Sequence, residues 1–297
     1  MVEHVEIVAE FTTNHLGNLN LLLRMVDAAA DAGADCIKMQ AKDVESFYSQ
    51  EKLGAPYASP YGTTYRDYRT LFEFGENDWV RFDTRCKQRG IRWFATAQDA
   101  KSQAFLAKFG PTRHKIASSN ARNWHFLETV AREVPPDHEV VLSVAGSTLP
   151  EIEKALGILD DFRCVWLLHC VAEYPCKPEH LRLGNIRELR RRFACERVKV
   201  GYSGHEVGYS PTLAAVQAGA EMVERHFCLS RHSFTHHIEC SLEPAEFAAM
   251  VKAIREGWAD VALPGGNQVE FGMSDMERSF LVDQTYGNEY LGQQSTM

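Results

Sequence analysis

One rhythm constrains this chain more than any other feature. A short apolar run, a polar or Gly-containing turn and a stretch of helical periodicity follow one another eight times between Val5 and Glu256. The apolar runs are Val5–Ala9, Asp35–Met39, Arg92–Ala95, His114–Ala117, Val140–Val144, Cys164–Leu168, Val198–Tyr202 and Met222–His226. After the first run, Leu19, Leu22, Leu23, Val26, Ala29 and Ala30 share one face at 3.6-residue spacing, and Gly33 closes that helix. Further helices are expected near 76–89, 99–109, 123–132, 149–158, 183–193, 210–218 and 244–256. Residues 41–75 interrupt the rhythm with a long Tyr- and Ser-rich stretch. Alternating strands and helices imply a parallel sheet, and eight such units in this length favour a closed (β/α)8 TIM barrel, an α/β fold. The rival is an open doubly wound sheet, but the first strand–helix turn has no Gly-x-Gly-x-x-Gly to cradle a dinucleotide.

The chain has 297 residues, 45% apolar and 24% charged, which are globular values and exclude a disordered chain. We expect residues 1–257 to form the barrel and 258–297 to be a C-terminal extension with no domain of its own. A net charge of −8 argues against nucleic-acid binding, and no apolar run is long enough to span a membrane. The acidic start Met-Val-Glu-His-Val-Glu is unlike a secretory signal, so a cytoplasmic location is expected. The eight cysteines contain no Cys-x-x-Cys pair. Reduced, mostly buried thiols are expected, and a zinc site from Cys170 and Cys176 is disfavoured by their spacing.

In a barrel, active-site groups stand at the C-terminal ends of the strands. Each proposed strand ends in polar residues: Glu10 with Asn14 and His15; Lys38 and Gln40; Thr96, Gln98 and Asp99; Lys115 with Ser118, Ser119 and Asn120. The remaining four end in Ser143; His169, Cys170 and Tyr174; Ser203 and His205; and Glu224-Arg225-His226. Two lysines with several hydroxyls suit an anionic ligand such as phosphate or carboxylate. His205 and His226, on adjacent strands, could hold a divalent metal. Simpler readings compete. Glu10 could be an ion-pair partner of Lys38 or Lys115, and His169 and Tyr174 could be packing residues. The tract of His232, His236 and His237 could be a solvated loop or a lid.

With these residues in view, the chain resembles the sialic acid synthase (N-acetylneuraminate synthase) family. The matching pieces are Glu10-Phe-Thr-Thr-Asn14-His15-Leu-Gly17, Ala32-Gly33-Ala34-Asp35-Cys-Ile-Lys38-Met-Gln40 and Lys115-Ile-Ala-Ser118-Ser119. Val141-Leu-Ser143, Leu168-His169-Cys170 with Tyr174-Pro175, and Val200-Gly201-Tyr202-Ser203-Gly204-His205 follow. Glu224-Arg225-His226-Phe227 and Ser241-Leu242-Glu243-Pro244 complete the order. The resemblance implies a barrel that condenses phosphoenolpyruvate with an aldose to give a 2-keto-3-deoxy sugar acid and phosphate. It implies that Lys38, Gln40, Thr96, Lys115, Ser118, Ser143 and Ser203 grip phosphoenolpyruvate, and that His205 and His226 ligate a divalent metal, Mn or Mg. By the same resemblance Glu10 stands beside the reacting carbon, and Asn14, His15, Asn120, Tyr174 and His237 face the acceptor. Catalytic work would fall to Glu10, Lys38, Lys115, His205 and His226. Barrels of this kind often pair through outer helices, so a homodimer is expected.

The departures cluster on the acceptor side. Asn120 replaces an acid, Ala97-Gln98 replaces Pro-Phe, and Ser143-Val144-Ala145 replaces Ser-Thr-Gly. Ala172 replaces a polar residue, and Thr235-His236-His237 replaces Gly-Pro-Asp. The family's C-terminal antifreeze-like domain would not fit in the residues after 257. An acceptor other than N-acetylmannosamine is therefore expected. A catalytically degenerate barrel that binds an anionic metabolite or a partner, and a barrel metal hydrolase or isomerase, are the alternatives.

Overall fold

The structure, a computed structural model, describes residues 4–257 and 268–281; the rest of the expected 258–297 extension lies outside the described residues. Eight strands form a closed barrel: β1 (Glu6–Glu10), β2 (Cys36–Ala41), β3 (Arg92–Ala97), β4 (Arg113–Ile116), β5 (Glu139–Ser143), β6 (Cys164–His169), β7 (Val198–Gly204) and β8 (Met222–His226). Every neighbouring pair is parallel, and β1 closes the ring by pairing with both β2 and β8. The expected (β/α)8 barrel is the observed fold.

Each strand is followed by its helix: α1 (Leu19–Asp31), α2 (Glu76–Arg89), α3 (Ala100–Ala107), α4 (Trp124–Glu133), α5 (Leu149–Ile158), α6 (Gly184–Phe193), α7 (Ser210–Gln217) and α8 (Pro244–Arg255). Local chemistry fixes where they start. The Asn18 side chain accepts from Leu21 N at 3.0 Å, and capping boxes join Thr148 to Glu151 and Glu243 to Glu246.

The period of two along each strand sorts side chains between two apolar cores. Ile7, Ala9, Ile37, Met39, Val140 and Leu142 pack outward with the helices. Val8, Cys36, Phe94, Val141, Trp166, Leu168 and Met222 form a separate cluster that fills the barrel. A Cβ on Gly201 would lie 2.5 Å from Leu168 Cδ2, so glycine is what lets the backbone approach at that layer. Below this plug, Arg113 joins Glu6 at 2.6 Å and Glu139 at 2.6 Å, closing the N-terminal end with charges. Above it, the same inward positions are polar, and that layer is the site.

Two features depart from the rhythm read in the sequence. Residues 41–75 carry three short helices, Val44–Phe47, Gln50–Gly54 and Tyr65–Thr70, around a hairpin of Pro56–Ser59 and Gly62–Thr64. After the barrel, α9 (Asp275–Leu281) returns to its mouth. There Met273, Phe280 and Leu281 pack on Ala145, Cys170, Ala172 and Tyr174. Asn185 and Glu270 tie the incoming chain through bonds of 2.7 and 2.9 Å. No helix among the described residues is long and apolar enough to cross a membrane.

Candidate active site

A cavity of about 330 Å³ opens at the C-terminal ends of the strands. At its floor four charged groups meet. Glu224 places Oε2 at 3.1 Å from Lys115 Nζ and Oε1 at 3.5 Å from Lys38 Nζ. Lys38 Nζ lies 2.8 Å from Glu10 Oε2. Glu10 Oε1 accepts from Gln40 Nε2 at 2.6 Å and from Thr12 N at 3.1 Å. Hydroxyls complete the ring: Lys38 Nζ donates to Thr96 at 3.1 Å, Lys115 Nζ to Ser143 at 2.6 Å, and Ser203 donates to Glu224 at 3.1 Å. The register explains the convergence, because Glu10 pairs with Lys38 and His226, Gln40 with Thr96, Thr96 with Lys115, and Ser203 with Glu224.

Electrostatics then divides these groups. Burial opposes ionisation of Glu224, yet Lys115 and Lys38 hold its carboxyl down at about 2. Burial opposes the Lys38 charge too, but Glu10 and Glu224 keep its pKa above the usual lysine value. For Lys115, burial outweighs the pull of Glu224 and lowers the pKa. For Glu10, burial outweighs Lys38 and raises it. Lys115 is thus the ammonium with the weaker internal compensation and the most to gain from an added anion.

One wall is aromatic and imidazole. The His205 and His226 rings are 5.4 Å apart, and the Tyr174 ring lies 4.1 Å from His205 and 4.1 Å from His237. His205 Nδ1 donates to Val171 O at 2.7 Å, and His226 Nδ1 lies 3.5 Å from Cys240 Sγ. Burial lowers both histidines to about 3, so both imidazoles are neutral. Phe280, from α9, closes on Tyr174 at 4.7 Å.

Most residues singled out in the sequence line this cavity: Glu10, Lys38, Gln40, Thr96, Lys115, Ser118, Ser143, Tyr174, Ser203, His205, His226 and His237. Ser118 Oγ accepts from Ala145 N at 3.0 Å and lies 3.2 Å from Cys170 Sγ. Asn14, His15 and Asn120 are buried outside the lining. Asn14 donates to Phe227 O at 2.8 Å and Ser241 Oγ at 3.0 Å, strapping the loop after β1 to the loop after β8. His15 accepts from Gly17 N at 3.1 Å and packs on Phe74 at 4.6 Å. Asn120 donates to Gln98 O at 2.9 Å. His169 takes its packing role, donating to Leu181 O at 2.8 Å. Cys170 and Cys176 have different neighbours, Ser118 for the first and Glu173 for the second.

Two sets that line the site were given no role from the sequence. Glu224 is one, although two lysines entering an apolar barrel call for a counter-charge and Glu224 shares the face of His226. The other is the wall from the 41–75 stretch, with Lys42, Tyr48, Lys52, Tyr57, Tyr65 and Arg69, faced by His236.

Known proteins share both sequence and fold with this chain. N-acetylneuraminate-9-phosphate synthase of Drosophila melanogaster is 33% identical over 261 residues, 86% of this chain and 68% of that protein. Pseudaminic acid synthase of Campylobacter jejuni is 32% identical over 279 residues, 88% of this chain and 76% of that protein. The crystal structure of N-acetylneuraminic acid (sialic acid) synthetase from Leptospira borgpetersenii, in complex with citrate, superposes with a TM-score of 0.76 at 30% identity, covering 99% of this chain and 94% of that one. A truncated 3-deoxy-D-arabino-heptulosonate 7-phosphate synthase from Thermotoga maritima shares the fold at 13% identity and a TM-score of 0.62. Matched to the family's pattern over residues 25–263 and sharing its barrel, this chain belongs to the NeuB family.

Proposed function

We propose that the protein is a transferase that joins phosphoenolpyruvate to an aldehyde sugar, giving a 2-keto-3-deoxy sugar acid and inorganic phosphate. One observation carries this reading. Two buried lysines and the hydroxyls of Thr96, Ser118, Ser143 and Ser203 line one cavity with two buried glutamates and a pair of neutral imidazoles. Lys115, Ser118, Ser143 and Ser203 would hold the phosphate, and Lys38, Gln40 and Thr96 the carboxylate, in line with the named activities of the relatives.

His205 and His226 suit a divalent cation such as manganese or magnesium. Each is neutral, and each has Nδ1 occupied from behind, the arrangement that leaves Nε2 for a metal. Among the described residues no group of three or more His, Cys, Asp or Glu converges there, so the remaining positions would fall to water and substrate. A bound cation would polarise the acceptor carbonyl.

The protein's own groups account for the rest. C3 of phosphoenolpyruvate attacks the aldehyde carbon, and the aldehyde oxygen takes a proton. Positive charge develops at C2, where the Glu10 carboxylate opposes it. Water adds at C2 and gives up both protons, one balancing the proton taken by the aldehyde oxygen and one leaving with the phosphate, as the C2–O bond to phosphate breaks, the C2 carbonyl forms and the phosphate departs onto Lys115 and its serines. Tyr174 and Phe280 would shield the acceptor end of the cavity from bulk solvent.

The acceptor is read as something other than N-acetylmannosamine. Asn120 is spent on Gln98, Ala172 lies under α9, and His237 stacks on Tyr174, so the acceptor end is built from different groups than the resemblance implies. Incubating the protein with phosphoenolpyruvate, Mn or Mg and a panel of aldoses tests the reading. Aldehyde-dependent phosphate release is expected. Phosphoenolpyruvate binding without release for any aldehyde would overturn it in favour of an anion-binding barrel.

A further inference from the structure

Arg225 stands on β8 between Glu224 and His226, and the strand's period of two turns it away from the cavity that both neighbours line. It is the largest wholly buried side chain among the described residues. Nη1 donates to Glu206 Oε1 at 2.8 Å, to Gly208 O at 2.8 Å and to Thr212 Oγ1 at 2.7 Å. Nη2 donates to Glu206 O at 2.8 Å and to Cys240 O at 3.3 Å. Glu206 is held in turn by Tyr202 OH at 2.9 Å and Thr212 Oγ1 at 2.6 Å.

A buried ion pair is no stabiliser by default, because well-packed apolar groups of similar volume often serve a fold as well or better. What the charge adds here is direction. The carbonyls that Arg225 gathers belong to two loops, at Glu206 and Gly208 after β7 and at Cys240 after β8. Each loop stands behind one imidazole. In the first, Glu206 follows His205 directly, and Cys176 N donates to His205 O at 2.8 Å. The backbone just before His205 is pressed onto the same pair: a Cβ on Gly204 would meet Glu206 Oε2 at 2.5 Å and Arg225 Cδ at 2.9 Å. In the second, Cys240 commits its S–H to His237 O at 3.1 Å, so its sulfur is left to accept from His226 Nδ1 at 3.5 Å. That bond selects the tautomer whose Nε2 lone pair is free.

We propose that Arg225 is a positioning residue for the His205–His226 pair. Its guanidinium fixes the two loops behind the imidazoles relative to each other, and through Cys240 it sets the tautomer of His226. The inference rests on the reading of these histidines as ligands of a divalent cation. Lysine is no substitute, since one ammonium does not span carbonyls that the two nitrogens of a planar fork reach together.

The test uses the full chain without an acceptor. Manganese(II) affinity is read from the paramagnetic resonance signal of the free ion, phosphoenolpyruvate affinity by calorimetry with no metal added, and histidine tautomers from nitrogen NMR shifts. Arg225→Lys is expected to weaken manganese binding about tenfold to a hundredfold, the scale for outer partners of metal-ligating histidines, and to change metal-free phosphoenolpyruvate affinity by less than about twofold. Cys240→Ala is expected to weaken manganese binding on the same scale and to spread His226 over both tautomers. Manganese affinity equal to wild type in Arg225→Lys would overturn the assignment. Equal losses of manganese and phosphoenolpyruvate affinity would also overturn it, by giving Arg225 a general structural role. Should Arg225→Lys not fold, Thr212→Val removes one of the groups that hold the guanidinium, with manganese binding expected to weaken about threefold; unchanged affinity there would overturn the assignment. A wild type that binds no manganese would sink the cation reading alone. The positioning role then rests on the tautomers: His226 protonated at Nδ1 in the wild type and mixed in Arg225→Lys supports it, and the same tautomer in both overturns it.

Discussion

Glu224 Oε2 sits 3.1 Å from Lys115 Nζ, and this buried carboxylate occupies the place an incoming anion would take as the lysine's partner. Removing one member of a buried charge set typically costs 3–5 kcal/mol, about what is expected for Glu224→Ala, because Lys38 and Lys115 lose a shared counter-charge. An anion that replaces the carboxylate should restore part of that loss through linkage. The rise in Tm on adding phosphoenolpyruvate is therefore expected to be larger in Glu224→Ala than in the wild type. An equal or smaller rise would mean that the ligand does not meet these lysines.

Lys115 supplies the complementary prediction. Its ammonium is held by Ser143 at 2.6 Å and is buried deeply enough to lower its pKa. On the proposed reading, Lys115→Ala removes a charged hydrogen bond to the phosphate, worth roughly 1.5–3 kcal/mol. Phosphoenolpyruvate affinity measured by calorimetry is expected to fall about tenfold to a hundredfold. Affinity equal to wild type would remove Lys115 from the phosphate pocket.

Much of this site is legible in the amino-acid sequence, for a physical reason. Lys38 and Lys115 stand inside apolar runs, where a charged side chain needs a partner, and strand periodicity carries both onto the inner face with Thr96, Ser143 and Ser203. Glu224 has the same periodicity, but its meaning is relational: it depends on two strands far away in the chain. The outer wall is illegible for another reason. Helices as short as Val44–Phe47 are too short to show a period, and contacts such as the 4.9 Å approach of the Tyr68 and His236 rings join residues with no local pattern. Asn14, His15 and Asn120 show the converse limit. They sit among the residues of the site in sequence, yet their side chains bind backbone, packing partners and other side chains that hold the loops in place.

Phe280 tests whether α9 belongs to the working site. Its ring lies 4.7 Å from Tyr174 and 5.4 Å from His237, at the mouth the acceptor must cross. Phe280→Ala deletes this contact and admits water. The KM for the aldehyde is expected to rise about tenfold, a cost of about 1.4 kcal/mol, with a smaller change in the KM for phosphoenolpyruvate if it binds at the floor as proposed. A change shared equally by both substrates would assign Phe280 to general stability.

At the opposite end of the barrel, the charges that close its base make stability depend on acid. Burial disfavours ionised Glu139, but Arg113 at 2.6 Å, the Trp166 indole N–H and Arg163 overcome that and hold its carboxyl below the usual 4.5. A carboxyl whose pKa is lower folded than unfolded binds fewer protons in the native state at intermediate pH. Its contribution is then complete above about pH 4.5 and is lost as the pH falls through the folded value. Glu139→Gln is therefore expected to lower the urea midpoint at pH 7, with the gap to wild type closing between about pH 5 and pH 3. Because Glu139 is only half-buried, solvent screening keeps its ionic contribution to about 1 kcal/mol or less. A gap that stays constant down to pH 3 would mean that Glu139 holds the base through packing, with its charge contributing nothing.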